Sequence, residues 1–219
     1  MKYWFMNLIT SGNIIHPLNP FEFYVKSFPK SVKRKLAKSK SMIKPFDEFP
    51  VPIEDGFSVA MLFGDALAEA LFIRGLEGAV ITGPTAPKDY PRIFSIGELL
   101  RVLEQLKDRT VFVRSYPLLR GSPDDLFSVL ETAYERNLTI ILTNTPLALN
   151  ELNLLKEFER YFFKPEIFDY LMVLRTKLSR GKTRGELSVI RVPPQQIELL
   201  GEHSFQIKRK LKSLAEKGQ

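Results

Sequence analysis

At 219 residues and 25.2 kDa the chain is long enough for one α/β domain with a full core, or for a modest domain with an arm, and too short for two large domains. Hydrophobic residues at 44% and charged residues at 26% exclude collagen-like, coiled-coil and wholly disordered chains. The absence of cysteine removes disulfides, thiolate metal sites and cysteine nucleophiles. With only His16 and His203, no metal centre, catalytic triad or cofactor is expected.

Charge is unevenly placed in a chain whose formal net charge is +7. Lys26, Lys30, Lys33, Arg34, Lys35, Lys38, Lys40 and Lys44 lie in a stretch with no acid between Glu22 and Asp47, giving +8. Residues 171 to 192 carry Arg175, Lys177, Arg180, Lys182, Arg184 and Arg191 against Glu186, giving +5. Lys208, Arg209, Lys210, Lys212 and Lys217 against Glu216 add +4, which leaves −10 for the rest of the chain. Such segregation creates a field that a polyanion can use, although a solvated face with a basic tail has the same composition.

In chain order, residues 1–55 read as an N-terminal basic and proline-rich arm. Pro17, Pro20, Pro29, Pro45, Pro50 and Pro52 punctuate it, and Phe21, Phe23, Tyr24 and Phe28 lie beside the lysine run. These aromatics can stack bases or pack the arm onto a core. From Gly56 to Ile207 an α/β core is expected. FSVAMLFG reads as a buried strand, ALAEALFIRGL as a helix closed near Gly75 or Gly78, and GAVITG as a second strand. IGELLRVLEQLKD spaces Ile96, Leu99, Leu100, Leu103 and Leu106 on one helical face before the strand TVFVRSY. DDLFSVLETAYERN reads as a helix, followed by the strand LTIILTNTP. This alternation predicts a parallel sheet with helices on both faces. LNELNLLKEFERYF reads as a further helix. DYLMVLRTKLSR, GELSVIRVPP and HSFQIKR read as three terminal strands, expected to extend the sheet antiparallel because their connections are short. Residues 208–219 form a basic tail.

Gly181-Lys182-Thr183 has the letters of a phosphate loop, but Thr176 stands where its leading glycine belongs and it falls between two strands, which predicts a basic hairpin turn. The position after FSVAMLFG has Gly64, Asp65, Ala66 and Leu67 in place of a glycine-rich cradle with its lysine. TVFVRSY ends in Arg114 and Ser115 where a metal-holding acid is needed.

From Phe94 through Ile207 the helix, TVFVRSY, helix, TIILTNTP with its polar Thr143-Asn144-Thr145 end, long helix and basic terminal strands resemble the second half of the RecA/RadA/KaiC-like ATPase core. The resemblance is to a degenerate archaeal member without the phosphate-binding and metal-binding motifs. It implies a three-layer RecA-like fold and a pseudo-ATPase acting as an accessory protein in DNA recombination or repair. Gly56-Phe57-Ser58-Val59-Ala60 matches the Gly-Phe-x-x-Ala pattern by which RadA-like recombinases dock, which would make Phe57 and Ala60 partner contacts; the same residues also read as a core strand, and that reading is preferred. The expected activity is sequence-independent binding of DNA or RNA by Lys30, Lys33, Arg34, Lys35, Lys38, Lys40, Lys44, Arg180, Lys182 and Arg184. The expected setting is cytoplasmic, with no membrane partner, a possible homo-oligomer, and a composition that leans towards thermophily. Two rivals are kept: an enzyme or sensor binding a nucleotide or phosphorylated small molecule through Thr82 to Thr85, Arg114, Ser115 and Asn144 at the strand ends, and a purely structural assembly subunit.

Overall fold

The computed structural model describes residues 42–179 and 182–207. Among these residues there are nine strands, β1 (Met42–Ile43), β2 (Ile53–Glu54), β3 (Ser58–Phe63), β4 (Val80–Thr82), β5 (Thr110–Val113), β6 (Thr139–Asn144), β7 (Tyr170–Ser179), β8 (Lys182–Arg191) and β9 (Gly201–Gln206). The same residues hold four α-helices, α1 (Ala66–Gly75), α2 (Ile96–Glu104), α3 (Asp125–Glu135) and α4 (Leu154–Tyr161). Strands β3 to β9 form one seven-stranded sheet in the order β4-β5-β6-β3-β7-β8-β9, while β1 and β2 form a small antiparallel pair.

Strand β3 is central because all six of its residues are buried, as an apolar run between two parallel neighbours must be. Its side chains alternate between two cores. Val59, Met61 and Phe63 face a cluster with Phe72 of α1, whereas Ala60 and Leu62 face Leu99 and Leu103 of α2, Leu126 and Val129 of α3, and Phe158 of α4. Helices therefore cover both faces, as the β-α alternation predicts.

One expectation is corrected. β7 is not antiparallel: it runs parallel to β3, with Val59 opposite Tyr170 and Phe63 opposite Leu174. The reason is that α4 lies between β6 and β7 and supplies the crossover that a parallel connection needs. Strands β8 and β9, joined by short connections, are antiparallel to their neighbours as expected.

Residues 42–55, which their prolines group with the arm, are built into the core. Phe46, Phe49, Val51 and Ile53 are buried, and Phe46 and Phe49 each pack against both Phe72 and Phe205. Gly75 lets this segment close on α1, since a side chain there would strike the Pro45 carbonyl. Alternating Pro and Phe disguises a burial pattern that has neither helical nor strand period.

Candidate functional site

The C-terminal ends of the parallel strands are where α/β sheets hold ligands. Here that region is occupied by the protein's own ion pairs. Asp65, directly after β3, caps α1: its Oδ1 accepts the Ala68 N–H at 2.7 Å and the Thr176 hydroxyl at 2.7 Å, and its Oδ2 accepts the Thr176 N–H at 2.7 Å. A carboxylate thus takes the helix N–H groups and faces the positive end of the dipole, the features that elsewhere attract phosphate. Replacing Asp65 with Ala removes the cap and the link to β7 together, and is expected to cost about 2 kcal/mol in denaturant melts.

One turn further along α1, Glu69 is 2% exposed and receives Arg114 at the end of β5 in a two-pronged pair, Nε to Oε1 at 2.9 Å and Nη2 to Oε2 at 2.7 Å. Arg114 Nη1 also donates to the Thr85 carbonyl at 2.9 Å. Gly83 permits this approach of the β4 and β5 ends, because its φ is +123° and a side chain would collide with the Arg114 backbone. Four further hydroxyls serve each other or the backbone, while that of Thr145, just past β6, is buried without a hydrogen-bond partner. Thr82 donates to the Pro91 carbonyl, Thr143 to the Val113 carbonyl, and Thr85 and Ser115 share a hydrogen bond at 2.7 Å. Asn144 at the end of β6 is half-buried. Arg114, Ser115 and Thr85 are therefore brought together as the rival small-molecule reading requires, but Arg114 spends its guanidinium on Glu69. The Arg114 guanidinium, 29% exposed, is thus already engaged by a buried carboxylate, and Asp65 adds a further negative charge at the same strand ends.

Sequence reasoning singled out Arg114 and missed Glu69, whose spacing from Ala68 and Phe72 on an apolar helix face is the signal that it points inward. It also missed Asp169. This carboxyl, fully buried where β7 begins, accepts the Ser58 N–H and Ser58 hydroxyl on Oδ2, each at 2.8 Å. Burial pushes its pKa up to about 7, against the opposing pull of the Ser58 hydrogen bonds and the Arg191 charge. A cavity of about 300 Å³ at this same end of the sheet is lined by Asp55, Glu77, Asp108 and Asn137, with Asp108 held by the Asn137 amide at 2.8 Å. Among the described residues no three His, Asp or Glu side chains are grouped to hold a metal ion.

The basic residues divide. Lys182 and Arg184 are exposed on β8, and Lys177 on β7 lies opposite Arg184. Strand β3 leaves β7 at Leu174, and β7 continues for five further residues paired with β8, while β9 flanks β8 as far as Arg184. Lys182 and Thr183 open β8 and pair antiparallel with Ser179 and Leu178 of β7, while Gly181 lies outside the described residues. Ile207 donates its N–H to the Thr183 carbonyl at 3.1 Å, so the last described residue lies beside the start of β8. Lys44 is exposed but follows β1, whose partner β2 adjoins the start of β7 through the Glu54 N–H to Tyr170 Oη bond. It therefore lies at the opposite end of the sheet. Lys30, Lys33, Arg34, Lys35, Lys38, Lys40 and Arg180 lie outside the described residues. Ala60 is wholly buried within β3, and Phe57 is half-buried with its ring edge-on to Tyr170 at 6.2 Å.

No family model matches the chain, and no curated protein matches it. Among the described residues no helix is long and apolar enough to cross a membrane.

Proposed function

We propose that the chain is a non-catalytic, RecA-like accessory protein that binds nucleic acid through phosphates without reading sequence. The observation that carries this reading is the gathering of Lys177, Lys182 and Arg184 on one face at one corner of the sheet, where Lys182 and Arg184 are exposed and form no ion pair with another described residue. Such a cationic corner suits counterion release from a polyanion. The parallel strands completed by antiparallel terminal strands support the RecA-like resemblance, and a role in recombination or repair rests on that resemblance. The occupied strand ends favour binding over phosphoryl chemistry, because the cradle and the metal acid are replaced by Asp65 and by the Glu69–Arg114 pair.

Fluorescence anisotropy against salt tests the proposal. If about five phosphates are engaged, log affinity should fall against log salt with a slope near −4 to −5. Two probes of unrelated sequence should give superposable curves. The absence of any complex at protein concentrations on the order of tens of micromolar and low salt would overturn it.

A further inference from the structure

Resting on the nucleic-acid reading just given, we infer that the ribbon of β7 and β8 engages the backbone of a double strand in preference to a single strand. On this ribbon, alternation places Arg175, Lys177, Lys182, Arg184 and Glu186 on one face, in the cross-strand rows Arg175 with Glu186, Lys177 with Arg184, and Ser179 with Lys182. Arg175 is neutralised by Glu151 at 3.0 Å, and Lys177 shares Glu186 at 3.3 Å. Lys182 and Arg184 form no ion pair with another described residue. Lys177 also lies directly opposite Arg184, a like-charge cross-strand pair that the Glu186 carboxylate offsets on the Lys177 side only.

Two features select the duplex. The first is the lack of a stacking surface: no aromatic residue interrupts the cationic rows, and Phe205, the ring nearest the ribbon, is buried against Gly185 on the other face. Sequence-tolerant single-strand binding draws about 1–3 kcal/mol per base from aromatic stacking, which this face cannot supply. The second is charge density. Each neutralised phosphate contributes a salt slope of about 0.9 on a duplex and about 0.7 on a single strand, so the same fixed cations release more counterions from the duplex. The β7–β8–β9 ladder fixes the backbone positions that carry these cations before binding.

The test compares the full chain on a mixed-sequence DNA duplex and on each of its separated strands, by anisotropy in the same salt series. The duplex is expected to bind at least about fivefold tighter, and Lys182→Ala with Arg184→Ala should reduce its salt slope by about 2 while the variant melts with the parent. A second variant, Lys182→Gln with Arg184→Gln, should give the same reduction if the alanines perturb the hairpin. Equal or tighter binding to the single strand, or an unchanged duplex slope in both variants, would overturn this inference and leave the nucleic-acid reading standing. Failure to bind either form would overturn both.

Discussion

Arg114→Ala should lower the unfolding free energy by about 3 kcal/mol, because it strands the Glu69 carboxylate, which is 2% exposed, without its only ion-pair partner among the described residues. The Arg114 side chain is 29% exposed, which places the cost at the lower end of the range for broken buried pairs. Adding Glu69→Gln to the Arg114 variant should recover part of the loss, since a neutral amide needs no countercharge. A double-mutant cycle from urea melts would then give a coupling above about 1 kcal/mol. Coupling near zero would mean that the pair is not the element joining α1 to the end of β5, and that the strand ends are more open than their geometry indicates.

A second large effect concerns pH. The Asp169 carboxyl has its pKa pushed up to about 7 in the folded chain, above the ordinary value of 3.8, chiefly by burial. The folded state therefore holds this proton more tightly than the unfolded state. The contribution is fully present below about pH 4 and is lost as pH rises through about 7, after which it is constant. In urea melts across this window, Asp169→Asn should remove that fall, amounting to a few kcal/mol at most, and should equal or exceed the parent in stability at pH 8. Its amide oxygen can still accept from Ser58, whereas Asp169→Ala leaves the buried Ser58 N–H unpaired and should be destabilised at every pH by about 1–3 kcal/mol. A parent whose pH dependence matches that of Asp169→Asn would contradict the assignment.

The order of strands and helices after Gly56 can be read from local patterns because each element of the sheet keeps one period: apolar runs at β3 and β6, and one apolar face on α2. The antiparallel pairing of β7 with β8 is equally readable, since two strands on either side of the Gly-Lys-Thr letters exclude the strand-to-helix setting of a phosphate loop. The direction of β7 is not local information: it depends on whether α4 serves as a crossover, and a pattern for the strand alone is silent on that point. The burial of Phe46, Phe49 and Val51 is likewise set by the distant rings of Phe72 and Phe205. At the candidate site, missing motifs identify what Gly64, Asp65 and Arg114 cannot do. What they do instead depends on Glu69, whose place on the apolar face of α1 shows that it is buried but not what it pairs with, and on Thr176, which β7 brings to Asp65 from far along the chain.

Thermal melting of the full chain with saturating Mg-ATP and, separately, with a short DNA duplex compares the occupied strand ends with the basic ribbon and tail in one measurement, because a ligand that binds only the folded state raises its melting temperature. The duplex should raise the melting temperature at low salt, with the gain vanishing as salt is added, and Mg-ATP should leave it unchanged. A rise with Mg-ATP and none with the duplex would contradict the proposal that this chain binds polyanions through its β7–β8 corner and keeps no nucleotide site at the ends of its parallel strands.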